Sequence, residues 1–179
     1  LLFADPAFPA KRVHVFQYAL LALVVRRGLA SRLDGVPLMA MSALVAALLG
    51  VHDELIQGLR PERYFSLTDI LVNTVSASAG GCLGTALWGP GNRDDPPSPR
   101  AWLAVGLALA GLAVLLSGLT YAPAAALPVW AWLPAPLCLT SWLLSVPAGH
   151  RWPGALPVWL ACGALVEPAI ANLADLPFA

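Results

Sequence analysis

The stretch that decides the fold is Val51–Gly81, VHDELIQGLRPERYFSLTDILVNTVSASAGG. An Asp–Glu pair, a Gln, two Arg, a Ser, a second Asp and an Asn fall together there, between apolar runs. The pattern reads as the end of one helix, a short basic turn around Pro61, and the start of another helix. The segment SLTD (Ser66–Asp69) has the form of a capping box, with Ser66 as cap and Asp69 reaching back to it. Downstream, Ser76, Ser78, Gly80, Gly81 and Gly84 offer a close-packing face of small residues.

The surrounding chain is oily. Of its 179 residues 59% are hydrophobic and 11% charged, with a mean hydropathy of +0.74. A soluble domain usually carries about twice that charged fraction. Apolar runs approach the roughly 20 residues needed to cross a bilayer. The expected fold is therefore all-α, a polytopic transmembrane helix bundle. Its segments fall at about Val13–Arg27, Val36–Gln57, Ser66–Trp88, Ala101–Tyr121, Ala124–Val146 and Gly154–Leu176, about six in all. The first is short for a span. The loop Gly89–Arg100, GPGNRDDPPSPR, is polar and Pro-rich, and separates a domain at 10–90 from additional helices at 101–176.

Pro37 falls in the first turn of the second segment, where proline is tolerated. Pro128, Pro134, Pro136, Pro157 and Pro168 predict kinks in the later ones. Trp88, Trp102, Trp130, Trp152 and Trp159 lie near segment ends, as an interfacial belt would place them. Arg26, Arg27, Arg32, Arg93, Arg100 and Arg151 gather on one side, and the smaller set Lys11, Arg12, Arg60 and Arg63 on the other. The positive-inside bias makes the first side cytoplasmic. The first segment would then start outside, which calls for a further helix upstream of LLFADPAFPAKR, a start without Met.

With zero net charge there is no basic footprint for nucleic acid. Cys82, Cys138 and Cys162 stand alone in apolar runs, with neither disulfide nor zinc spacing, and read as small core residues. No cofactor is indicated. The expected partners are membrane lipids and other membrane subunits.

Antiparallel helices with short loops bring the start of the first segment, the end of the second and the start of the third to one membrane face. Polar residues cluster at those ends: Lys11, His14, Gln17 and Tyr18; His52, Asp53, Glu54 and Gln57; Ser66, Asp69 and Asn73, with Arg60 and Arg63 between. His14 and Tyr18, Asp53 and Gln57, and Asp69 and Asn73 are each four apart and share a helix face. Asn73 lies roughly 10 Å below Ser66, deep enough that its amide requires a partner other than lipid. Snorkelling anchors account equally for Lys11 and Arg12, and helix-end electrostatics for Asp69 and Arg63. Glu167, followed by Pro168, has no Lys or Arg within a helical turn. It pairs across helices, stays protonated, or ends a segment that does not fully cross.

KRVHVFQY followed by DELIQGLRPERYFSLTDILVNTVSASAG resembles the VanZ-like family of bacterial membrane proteins. The matching positions are Lys11, His14 and Tyr18; Asp53, Glu54 and Gln57; Pro61 and Arg63; and Ser66, Asp69, Asn73 and Gly80. Ala10, Val15, Glu62 and Ser76 depart from the family pattern, and Ala10 leaves Lys11 without the acid expected beside it. The resemblance covers about residues 10–90. It implies a multi-pass protein of the bacterial inner (plasma) membrane, in a family named for a protein associated with resistance to the glycopeptide teicoplanin. It implies a fold and a site rather than a reaction.

Three functions are open on these residues. The polar site binds an amphiphile or lipid-linked envelope component, with Arg60 and Arg63 engaging phosphate or carboxylate. Alternatively the chain is a structural or accessory subunit of a larger membrane complex, its polar cluster an internal network. A third reading is an intramembrane enzyme using His14 with Glu54 or Asp69 as acid–base pair or metal ligands. No HExxH, no nucleophile beside a base and no P-loop supports this third reading, so no catalytic residue is assigned.

Overall fold

The computed structural model describes residues 10–58, 66–91, 96–121 and 133–145. Among them the chain is helical, in the order α1 (Ala10–Leu29), α2 (Gly35–Gly58), α3 (Leu67–Trp88), α4 (Pro99–Tyr121) and α5 (Pro134–Ser145). No strand occurs among the described residues. Three helices are long and apolar enough to cross a membrane: Gly35–Glu54, Leu67–Trp88 and Pro99–Leu119. These support a membrane protein. The α1 helix extends beyond the expected Val13–Arg27 at both ends, and Arg26 and Arg27 fall in its last turn. Basic side chains there complement the carbonyl end of the helix dipole.

The expected sixth segment, with Glu167 and Cys162, lies outside the described residues, as do Pro128, Pro157 and Pro168. The expected fifth is described only over its C-terminal half, by the 12-residue α5. Pro134 and Pro136 do not kink that helix. They occupy its first turn, where a missing N–H leaves no intrahelical bond unmade. Pro37 sits in the first turn of α2 as expected and is buried there.

The chain divides into two compact units. One is built from α1, α2 as far as Glu54, and α3; the other holds the end of α2, α4 and α5. The division on the C-terminal side of α3 falls between Pro97 and Ser98, inside the Pro-rich loop.

In the first unit the helices run up, down and up. The buried face of α3 is Ile70, Asn73, Ser76, Ala77, Gly80, Gly81 and Gly84, a stripe at three- and four-residue spacing. The glycines in it are contact points. A Cβ on Gly80 would run into the backbone of Ala19 in α1, and one on Gly81 would lie 3.0 Å from the Met39 carbonyl oxygen of α2. Lipid tails are as apolar as the side chains, so close van der Waals packing of this kind must hold the helices together. Ser78 is not part of the packing face. It is exposed and donates to the Thr74 carbonyl at 2.9 Å.

The opposite faces are greasy. On α1, Val13, Phe16, Leu20 and Val24 are exposed, Phe16 by 73%, and α3 exposes Leu67, Leu71, Val75, Leu83 and Leu87. Such stripes suit a lipid surround. Cys82 lies on the exposed side of α3 rather than in the core, while Cys138 is half-buried in α5. Trp88 and Trp102 are both exposed near helix ends, the positions of an interfacial belt.

In the second unit, α4 and α5 pack together. Ser141 donates to the Ala104 carbonyl at 2.6 Å, and a Cβ on Gly111 would lie 2.8 Å from Cys138 Sγ. The two helices are joined by a buried hydroxyl bond, a glycine contact and a hydrogen bond from Arg100 Nη2 to the Leu143 carbonyl at 3.4 Å.

Candidate functional site

One stripe of α1 organises the first unit. His14, Tyr18, Ala22 and Arg26 recur every four residues, and all but the half-buried His14 are buried. Tyr18 is 2% exposed, and its hydroxyl donates to Asp53 Oδ2 at 2.9 Å. The bond joins α1 to α2 across 35 positions of sequence. His14, one turn earlier, holds its ring 6.1 Å from that of Tyr18. Its Nδ1 is buried and has no hydrogen-bond partner among the described residues.

The third helix contributes Asn73. It is 1% exposed, and neither its amide oxygen nor its amide nitrogen has a partner among the described residues. Buried amides are almost always bonded, so an Asn with both ends unmatched needs a physical reason. The surroundings are tight on one side. A Cβ built on Gly50 of α2 would lie 2.9 Å from Asn73 Cβ and 3.2 Å from Tyr18 Cε1. Gly50 thus lets α1, α2 and α3 meet at one level, just below the carboxylates of the next turn of α2.

Of those carboxylates, Glu54 is 2% exposed and Asp53 is half-buried. Both have partners within the fold. A buried Glu is costly unless bonded or paired, so its retention inside an apolar bundle marks this level of the structure. The structure therefore joins His14, Tyr18 and Asp53 and sets Asn73 against Gly50 at the same level, with Glu54 buried beside Asp53 on α2.

The remaining expected residues stand differently. Ser66 caps α3: its extended backbone (φ −127°, ψ 113°) precedes the helix, and its Oγ accepts from the Asp69 N–H at 3.2 Å. This is the forward half of the expected capping box. Asp69 lies in the first turn, one turn above Asn73, and has a partner of its own. Gln57 is half-buried near the end of α2 and belongs with the second unit. Lys11 falls in α1 with its side chain outside the described ones, and Arg60 and Arg63 lie outside the described residues. Among the described residues no three His, Cys, Asp or Glu side chains gather in a group that could hold a metal.

Two participants were not legible as such. Gly50 looks like any glycine of an apolar run, and only the approach of Asn73 and Tyr18 gives it a role. Arg26 reads as a loop-side cation, yet it is 3% exposed, with its stem against Gly84. The signal was present in its register, eight residues after Tyr18 on the same stripe.

Compared with family models, curated proteins and solved structures, the chain matches none of them.

Proposed function

We propose that the chain is a VanZ-like, multi-pass protein of the bacterial plasma membrane. In this reading it binds the polar headgroup of an amphiphile or lipid-linked envelope component among His14, Tyr18, Asp53, Glu54 and Asn73. The observation that carries the reading is Asn73, buried beside a Tyr–Asp hydrogen bond with neither amide atom matched among the described residues. An amide offers one acceptor and two donor hydrogens, and the carboxylates only accept. Such a group suits a headgroup rich in hydroxyl or amine donors. The exposed apolar faces of α1 and α3 would let an acyl chain lie alongside while the headgroup enters.

A second reading takes the same groups as an internal network of an accessory subunit. The Tyr18–Asp53 bond favours it, since that bond already ties two helices. Photo-crosslinking separates the two. Purified protein in dodecyl maltoside is irradiated with a diazirine-bearing glycosyl diacylglycerol, and labelled peptides are mapped. Binding predicts labels on α1–α3 that fall about tenfold in Asn73→Leu and Glu54→Gln, as loss of charge-assisted or amide hydrogen bonds requires. Equal labelling of all three proteins would leave only the network.

A further inference from the structure

We infer that a second, anionic-ligand site lies at the other end of the first unit, in a cleft between α1 and α3 that takes a phosphate-bearing headgroup. The cleft has a volume of about 260 Å³ and is lined by Arg26, Arg27, Ala30, Leu38, Trp88 and Gly91. It is separated from the Tyr18 group by eight residues of α1, about 12 Å along the axis. It stands independently of the function proposed above.

The argument begins with Arg26. The residue is only 3% exposed, and its Nη1 is buried. One nitrogen, Nη2, donates to the Gly89 carbonyl at 2.5 Å; the other, Nη1, has no partner among the described residues. Gly89 holds φ at 76°, a conformation that side-chained residues rarely adopt, so the chain turns sharply after α3 and its carbonyl meets Arg26. A carbonyl dipole is only a partial counter-charge. A buried cation with a donor left over is strongly unfavourable unless an anion completes it.

Around this group the cleft is prepared for an anion. Arg27 is exposed at the rim and stacks over the Trp88 ring at 5.6 Å from its centroid, which holds the second guanidinium in place. Guanidinium forks match phosphate oxygens in geometry; one balances the single charge of a phosphodiester, and the second adds donors for its remaining oxygens. Among the described residues the acid facing this region is Asp34, which packs against Gly91 and has a partner of its own. It makes no bond to Arg26 among the described residues. Leu38 and Ala30 supply the apolar wall that an acyl glycerol backbone would meet. Ordinary snorkelling explains an exposed Arg27, but it does not explain a cation folded inward under Gly84.

The test uses the whole protein in dodecyl maltoside, a phosphate-free detergent, observed by native mass spectrometry. The probes are phosphatidylglycerol, the phosphate-free diacylglycerol of the same chains, and inorganic phosphate alone. Wild type should retain phosphatidylglycerol and not diacylglycerol. Retention should fall about tenfold in Arg26→Gln and in Arg27→Gln, and stay unchanged in Arg100→Gln, an exposed arginine elsewhere. If inorganic phosphate competes away the lipid, the site recognises the phosphate itself; if it does not, the lipid headgroup and glycerol are required, and either result supports the site. Should Arg26→Gln fail to fold, the exposed Arg27→Gln carries the decision. Unchanged retention in folded Arg27→Gln, equal loss in Arg100→Gln, or equal retention of diacylglycerol would overturn the proposal.

Discussion

Gly80 of α3 lies directly against the backbone of Ala19 in α1, so closely that no Cβ fits between them. The same register seats Arg26 over Gly84, whose Cβ would come 2.5 Å from Arg26 Cδ. Helix contact and cation burial are thus one feature, produced by glycines spaced one turn apart on α3.

A Gly80→Ala substitution should therefore push α1 and α3 apart. Overpacking of a close contact costs about 1–3 kcal/mol, and backbone atoms have nowhere to yield. Gly28→Ala is the control, since nothing lies within 4 Å of a Cβ there. It should be neutral or stabilising by up to about 1 kcal/mol through helix propensity. Thermal unfolding of the two variants in detergent measures both, and equal stability would remove the packing argument.

Tyr18 and Asp53 form the bond that ties α1 to α2. Tyr18→Phe keeps the ring in its buried position and removes only the donor, at an expected cost of about 1.5–3 kcal/mol for a bond to a charged acceptor. Asp53→Asn weakens the same bond from the other side. In a double-mutant cycle the two losses should fall short of additivity by about 1 kcal/mol or more. Additive losses would mean that the hydroxyl and the carboxylate act separately.

The helical character of this chain was legible because oily runs of span length leave few other folds. The starts of α2 and α3 were legible too, since Pro37 and the Ser66 cap are local signals that need no tertiary partner. What the sequence could not show was depth around the helix. Arg26 and Arg27 are adjacent and chemically equal, yet one is buried and the other exposed, because only the first falls on the stripe with Tyr18 and Ala22. Cys82 misled for the same reason. Its neighbours Gly81 and Gly84 face the bundle, and it faces out. The polar positions of the candidate site were visible as spacings, but the role of Gly50 depends on a meeting of three helices that no single segment encodes.

Ser66 gives a local test. Ser66→Ala removes the side-chain acceptor for the Asp69 N–H and should cost about 1 kcal/mol, within the range of other cap removals. The loss should be confined to the first turn of α3. Hydrogen exchange would show faster exchange at Asp69 and Ile70 than in the parent, with the amides around Gly80 unchanged. Uniform acceleration along α3 would instead place Ser66 in the global packing of the unit.

Asn73→Leu distinguishes a site from a network most directly. Leucine keeps the branching at Cγ and puts methyls where the amide oxygen and nitrogen stood. Those two atoms have no hydrogen-bond partner among the described residues, so the exchange sacrifices no bond within them. Replacing an unmatched buried polar group by an apolar one of similar shape is near neutral or stabilising. The variant should unfold within about 1 kcal/mol of the parent, or above it, in detergent without added lipid, while losing its capture of the headgroup probe. A loss of more than about 2 kcal/mol would show that the amide is bonded inside the fold, at the level set by a broken buried hydrogen bond. In that event Asn73 serves the bundle itself, and the headgroup would have to be sought elsewhere.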